Sequence, residues 1–462
     1  MNMHKRLNYG IIGLLLTVSV TLHGQGAYDA IHLLENESGF GTRPLAMGGA
    51  YTALDGDYSS IYWNPAGLGT VNENTFQIGL SHLRFMNEAS YRGSLTSNDQ
   101  TFTRLNSLGI AIPLPTSQGR FVLAFGYNRI LDNDDVLLFD GYSSLSNDLG
   151  FEIEDEDDGV IEFYPFDRDV NRFGHVSTEG GLHQWSLGGA VMLASNFTLG
   201  VTASYLTGSE EYRYLFSQTD SDNIYTDYPG DFDEYDVFQV LQTETAALSL
   251  KLGGIVELNK TLKVGAVITS PSSFSVDEVH SMSDELWFDD GYLDSTSSSG
   301  HWSYDVTTPF YFDFGLAYDS PKIVLAASGR YRDWSQTRFQ VDNSELGEQD
   351  YQDLLYENGQ IVFNYQPTIE YRFGVEFKLD QINSLIRGGY SIIPSPLKDG
   401  DTAWDKEQLS GGLSFRIDRN INVDFTYIHK TWDRDSWDDY APDGVNEMIT
   451  TNQVIMGFNY EF

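Results

Sequence analysis

Residues 452–462 read NQVIMGFNYEF. From Gln453 onward, Val454, Met456, Phe458, Tyr460 and Phe462 fall on one side of an extended chain. Ile455, Gly457, Asn459 and Glu461 fall on the other. A period of two over about ten residues predicts a strand with one apolar face. The same alternation runs through 197–205, where Phe197, Leu199, Val201, Ala203 and Tyr205 share a face, and through 310–318, with Phe310, Phe312, Phe314, Leu316 and Tyr318.

Working outward from these three, the pattern predicts fourteen strands. They lie near 75–84, 104–114, 120–130, 182–194, 197–207, 244–258, 261–270, 304–319, 322–335, 366–379, 383–393, 407–418, 420–431 and 450–462. The connections after even-numbered strands are short: 115–119, 195–196, 259–260, 320–321, 380–382 and Arg419. Those after odd-numbered strands are long, up to the fifty or so residues around 131–181. Strict alternation puts all short turns at one end and all long loops at the other. That is the layout of an outer-membrane barrel, with short periplasmic turns and long outer loops. Closure also removes the unpaired edges that hydrocarbon does not tolerate. The expected fold is therefore all-β, a 14-stranded antiparallel transmembrane barrel over residues 75–462.

Composition narrows the function. Formal net charge is −40, from 67 acidic and 27 basic residues, which disfavours a nucleic-acid partner. There are no cysteines, so disulfide scaffolds and thiolate sites are out. Mean hydropathy is mildly negative, as a barrel allows, because only alternate residues face lipid. No Gly-x-Ser-x-Gly, P-loop or metal-spaced histidine pair is present. The expectation is a protein that is not an enzyme, with no cofactor and no metal. The 131–180 segment holds fifteen Asp or Glu against two Arg, and 152–159 reads EIEDEDDG. Such runs are read first as a solvated outer surface. The sharper reading is divalent-cation binding, but Pro165 stands where an EF-hand would need its bidentate Glu.

The N-terminus sets the compartment. Lys5 and Arg6 precede an uncharged stretch centred on 11–20, with small residues around 24–27. This is the order of a secretory signal, placed at 1–26. Its apolar core is half of the roughly 20 residues that a spanning helix needs.

Residues 27–74 then precede the first strand. Their centre, AMGGAYTALDGDYSSIYWNPAGLGT (46–70), combines packing surface with many small residues. Gly48, Gly49 and Ala66 let backbones approach closely. Pro65 forces Asn64 toward extended geometry, so that Asn64-Pro65-Ala66 is expected to be neither helix nor regular strand. A barrel of about fourteen strands has a lumen too wide for side chains alone to fill. Residues 27–74 are therefore expected to fold inside it as a hatch, with Gly48, Gly49, Trp63, Asn64, Pro65 and Ala66 as its gating residues.

Cations concentrate on strand faces assigned to the lumen. Arg372, Glu376 and Lys378 oppose outward Tyr371, Phe373 and Phe377, while Arg387 opposes Ile386. Arg330 and Arg332 alternate with Gly329 and Tyr331. They read either as members of satisfied lumen networks or, for Arg330, Arg372 and Arg387, as contacts for an anionic head group. Aromatics in the loops (Phe139, Phe151, Phe163, Tyr164, Phe166, Trp287, Phe288) could build a groove.

GTRPLAMGGAYTAL…YSSIYWNPAGL (41–68) resembles the N-terminal hatch of the FadL-type outer-membrane transporters for long-chain fatty acids and other hydrophobic compounds. TPFYFDFGLAYDSPKIVLAASGRYRDWS (308–335) and IRGGYSIIPSPLKDG (386–400) are similar to that family's central hairpin and Arg-x-Gly-Tyr…Ser-Pro segment. The closing aromatics Phe458, Tyr460 and Phe462 resemble the signal read by barrel-assembly machinery. The resemblance implies a channel in the outer membrane of a Gram-negative bacterium. Outer loops capture a hydrophobic small molecule, the hatch shifts, and the cargo leaves sideways into outer-membrane lipid. It also implies a wall opening in the third strand, for which Gly126, between Phe125 and Tyr127, is the candidate kink. The acidic loops depart from what a collector of carboxylates needs. The same opening stretch is similar to PorV-like barrels of the type IX secretion system, which hold exported proteins with their outer loops. A secretion-system partner is the alternative.

Overall fold

The computed structural model describes residues 26–116, 119–154, 160–341 and 347–462. The proposed signal falls almost wholly outside them, as do residues 155–159 of the acidic run.

Fourteen antiparallel strands form the wall: β1 (Thr75–Tyr91), β2 (Ser94–Leu114), β3 (Phe121–Asp132), β4 (Val170–Ala194), β5 (Phe197–Thr219), β6 (Phe232–Glu257), β7 (Leu262–Thr269), β8 (Tyr311–Asp319), β9 (Ile323–Asp333), β10 (Pro367–Leu379), β11 (Ser384–Ile393), β12 (Lys406–Asp418), β13 (Ile421–Ser436) and β14 (Val445–Glu461). Each pairs with the next, and β14 pairs with β1 from Thr75↔Glu461 to Ser90↔Asn446, which closes the barrel. All fourteen expected strands are present, and the short turns fall where expected.

The period-two reading holds in detail. Phe310, Phe312, Phe314, Leu316 and Tyr318 are exposed, as are Val454, Met456, Phe458 and Tyr460, whereas Ile455 is fully buried. The outer face is thus an apolar belt, and the inner face packs inward.

Several expectations fail at the long-loop end, where β4 starts at Val170, β5 ends at Thr219, β6 starts at Phe232, β13 ends at Ser436 and β14 starts at Val445, all inside segments expected as loops. Residues 85–103 are not a loop: β1 and β2 continue as a ribbon to a two-residue turn at Arg92-Gly93, both at positive φ. Residues 304–310 do not belong to β8. Pro309 has no N–H to donate and ends the ladder. Residues 304–307 instead complete a separate hairpin, Ser273–Phe288 with Leu293–Thr307, which pairs with the outer half of β6.

Residues 27–74 enter the barrel as α1 (Ala27–Glu35), α2 (Thr42–Ala46), α3 (Ser60–Trp63) and a 3-10 turn (Pro65–Thr70). Phe40, Tyr51, Tyr58, Ile61, Tyr62, Trp63 and Leu68 are buried among inward side chains of the wall. The wall makes room with glycine. A methyl on Gly200 would overlap Pro65, one on Gly253 would meet Asn64, one on Gly265 Thr52, and one on Gly389 the backbone of Gly48. These strands surround the segment, so it packs inside the lumen, where a hatch is expected. Gly389→Ala drives a methyl into backbone, which cannot swing aside. The expected cost is about 1–3 kcal/mol, read as a lower temperature for loss of the compact form of the barrel on a heat-shift gel.

Candidate functional site

The hatch's local structure follows from its small and restricted residues. Gly48 and Gly49 take left-handed φ of 62° and 75° and end α2. The Gly48 N–H donates to Ser410 Oγ of β12 at 3.1 Å, and that hydroxyl donates to Ala46 O at 3.2 Å. Asn64 is extended, at φ −156° and ψ 107°, as Pro65 demands. Yet Pro65 and Ala66 do enter a helix, the first turn of the 3-10 segment, where a missing N–H costs nothing. Asn64 caps it: its Oδ1 accepts from Ala66 N–H at 3.1 Å, while its Nδ2 donates to Thr52 O at 2.6 Å and to Gly254 O of β6 at 3.2 Å. One side chain thus fixes a turn, crosses the hatch and reaches the wall. Trp63 donates from Nε1 to Phe40 O at 2.8 Å, and the Arg372 guanidinium lies 5.3 Å from its ring centroid.

The three arginines predicted for a head group are all buried in ion networks that clasp the hatch. Arg330 donates from Nε to Asp313 at 2.8 Å and comes within 3.1 Å of Glu37. Arg372 pairs with Glu370 and lies 3.7 Å from Asp313. Arg387 donates to Glu376 at 2.8 Å and to Asp424 at 2.9 Å. Glu376 is also gripped from the hatch by a two-pronged Arg43, at 3.0 and 3.2 Å. Beside this network Lys263 donates to Asp55 of the hatch at 2.8 Å, and Arg43 donates to the Asp55 carbonyl at 3.1 Å.

The head-group reading therefore gives way to the network reading, because existing carboxylates already occupy these cations. Sequence reasoning missed the hatch partners Glu37, Arg43 and Asp55. Their signal was available: a segment otherwise rich in small and apolar residues carries isolated charges, which a lumen lined with opposite charges can pair. On the short-turn side, a polar cavity of about 430 Å³ lies between the hatch and the wall, lined by Arg43, Asp57, Glu376, Arg387, Asp424 and Asn459 among others.

Gly126 does not carry a kink. Its pairings to Gly109 of β2 and Ser186 of β4 are regular. It is there because Tyr58 of the hatch occupies the place of a side chain. The irregularity of β3 lies higher, where the β3–β4 register slips between Arg129 and Leu131. The hatch docks on that fault: Ser38 and Gly39 both donate to Ile130 O at 3.0 Å, and Glu37 bridges to Leu131.

Four of the seven loop aromatics pack inward, while Phe163 is exposed. Phe139, Phe151, Phe166 and Phe288 are buried with Tyr91, Phe216, Phe232 and Tyr440 in a core of their own. Beneath it Arg172, fully buried, donates to the carbonyls of Leu145 and Asp167 at 2.7 Å and to Gln218 at 3.1 Å. The long loops thus pack as a dome over the lumen. Among the described residues no group of three His, Asp or Glu is placed to hold a metal ion.

α1 reaches up toward this outer end. It packs on α4 (Glu348–Asn364), a loop helix whose Glu357 accepts from the Ala27 N–H at 2.8 Å. His32 Nε2 lies 3.2 Å from Glu210 of β5. Burial alone would lower the His32 pKa, but Glu210 and nearby Glu35 and Asp29 raise it to about 9. A raised histidine pKa stabilises the folded state in full below about 6.5, and the contribution is lost as pH rises through about 9. Hydrogen-exchange protection of residues 27–35, relative to the rest of the hatch, is expected to fall over that window. His32→Gln should abolish the pH dependence.

Phe458 and Tyr460 lie on the outer face of β14, and the Tyr460 and Phe462 rings stack at 5.5 Å, forming an aromatic strip at the closing strand.

No family model matches the chain, and no curated protein does. Solved structures do. The Pseudomonas putida toluene transporter TodX matches with a TM-score of 0.58 at 13% identity, over 92% of this chain and 99% of that one. The Ralstonia pickettii toluene transporter TbuX gives 0.54 at 15% identity, over 92% and 99%. A Pseudomonas aeruginosa FadL homologue gives 0.54 at 11%, over 92% and 98%. At these identities the likeness is one of fold. The chain has the 14-stranded barrel of the FadL-type transporters, as its motifs implied.

Proposed function

We propose that this protein is an outer-membrane channel that takes up hydrophobic small molecules, long-chain fatty acids or similar compounds, and releases them sideways into the membrane. The observation that carries the reading is the docking of the hatch on the fault in β3. A plug that fills the lumen blocks a straight aqueous path. A plug whose own backbone completes the irregular point of the wall can open that wall when it moves. For an apolar cargo the sideways route is the favourable one, because crossing water costs about 0.8 kcal/mol for each CH₂. The solved structures of similar fold include proteins described as toluene transporters and a monoaromatic hydrocarbon channel.

The loops have a second task, that of a lid which must part before capture, and their packing as a dome supports it. The work is binding and passage, without chemistry on the cargo, and Gly48, Gly49 and Asn64 are the points about which the hatch turns. Phe458, Tyr460 and Phe462 serve recognition by assembly machinery. The test is transfer of a radiolabelled fatty acid and of toluene into liposomes carrying the purified protein. Transfer above that of protein-free liposomes supports the reading. Transfer equal to theirs, from folded protein, rejects it.

A further inference from the structure

One helix of the outer loops carries two apolar stripes. In α4, Leu354 and Ile361 are buried, as is Tyr365 just beyond, in the core that also holds Ala27, Ile31, Trp334 and Phe339. Leu355, Tyr356, Val362 and Phe363 form a second stripe, their i, i+1, i+7, i+8 spacing covering about a third of the circumference. All four are exposed, Tyr356 by 64% and Phe363 by 74%. Gly359 lies among them and adds no charge, while Asp353, Glu357 and Gln360 take the remaining side. A helix that covers a core needs one apolar face. The second needs a cover of its own, since water-facing surfaces rarely gather large apolar side chains in one patch.

The position of α4 identifies that cover. The wall is low on this flank, where β9, β10 and β11 have 11, 13 and 10 residues. At about 3.3 Å per residue and a tilt of about 40° they rise about 25–33 Å, close to the roughly 30 Å of hydrocarbon. Whatever joins their upper ends directly therefore stands at the lipid headgroups. α4 ends at Asn364, and β10 starts at Pro367. The junction is fixed: Gln366 donates from its N–H to Pro396 O and from its side chain to Leu397 O, both at 2.9 Å. The exposed Lys398 donates from Nζ to the carbonyls of Val362 and Phe363, at the helix end that favours a cation. On the wall below, Ile369, Tyr371 and Phe373 of β10 are exposed in the apolar belt. The stripe on α4 starts where that belt ends.

We infer that α4 is an interfacial helix whose exposed stripe lies in the outer leaflet, at the boundary of headgroups and acyl chains. Such helices bury an apolar face by about 5–10 Å. Lys398 then stands level with the lipid phosphates. The polar side of the same helix receives the hatch, since Glu357 accepts from the Ala27 N–H at 2.8 Å. A lipid-held helix thus bears the start of the hatch. The inference rests on the barrel sitting in a membrane and is independent of any cargo.

The chain has no cysteine, so Tyr356→Cys and Phe363→Cys, both on the surface, each give a unique point for a bimane label. Phe373→Cys in the belt and Trp437→Cys in an outer loop, where the native side chain is 70% exposed, serve as references for lipid and for water. The labelled full-length proteins are reconstituted into phosphatidylcholine vesicles with and without brominated acyl chains. Quenching at positions 356 and 363 is expected to reach about half of that at 373, as the shallow depth requires, with none at 437. Quenching at both no greater than at 437, with position 373 quenched, overturns the inference and leaves the stripe to a protein partner. Quenching of both by soluble bromodecanoate but not by brominated lipid also overturns it and assigns the stripe to cargo. An unquenched label at 373 removes the membrane reading, and the inference falls with it.

Discussion

Deletion of residues 27–66 is expected to leave a barrel that still assembles and to turn a nearly closed protein into an ion-conducting pore. The wall is complete without the hatch, since β14 pairs with β1 along sixteen positions. Its lumen, however, is lined by glycines whose missing side chains are replaced by hatch atoms. Removing the hatch therefore leaves open space that the wall cannot close by itself, and a barrel of this size then conducts water and ions. Planar-bilayer conductance should rise by about tenfold or more. An unchanged conductance would show that the dome alone seals the protein and that the hatch is not its plug.

The second large effect is expected at Glu376. This buried carboxylate is held at once by Arg43 of the hatch and Arg387 of the wall. Glu376→Gln keeps the shape and removes the charge, leaving two guanidinium groups to share the remaining acids, Asp57 and Asp424. Breaking a buried pair by removing one partner costs about 3–5 kcal/mol. The loss falls on the hatch–wall junction, because the barrel's backbone ladder does not depend on it. Protease cleavage within residues 41–57 should appear at concentrations that leave the parent intact, while the wall stays resistant. Cleavage at parental levels would show that the other clasps, Lys263–Asp55 among them, hold the hatch unaided.

Much of this architecture is legible in the chain because period two is a strong signal where one face meets lipid and the other a packed lumen. It fades where both faces of a strand meet water. Residues 94–101 alternate in exposure, with Leu95 largely solvated, and nothing in their composition separates a ribbon from a loop. The hatch was legible from Gly48, Gly49 and Asn64-Pro65-Ala66, since few other structures need small residues, left-handed turns and a capped proline together. Its electrostatic partners were not, because pairing Glu37 with Arg330, or Arg43 with Glu376, joins positions some three hundred residues apart that only closure of the barrel brings together. Gly126 was read as a property of its own strand, whereas its reason lies in Tyr58 of the hatch, which packs against it.

The wall is of unequal height. β6 runs for 26 residues and β7 for 8. At about 3.3 Å per residue and a tilt of about 40°, β6 rises some 65 Å, against about 30 Å of hydrocarbon. One flank thus stands roughly 35 Å above the bilayer and carries the acidic crown with it. At physiological ionic strength the Debye length is about 8 Å, so charges carried at the top of that flank lie several screening lengths from the bilayer surface. Height thus separates the two, and a strongly acidic crown can stand over the bilayer without its field reaching the lipid.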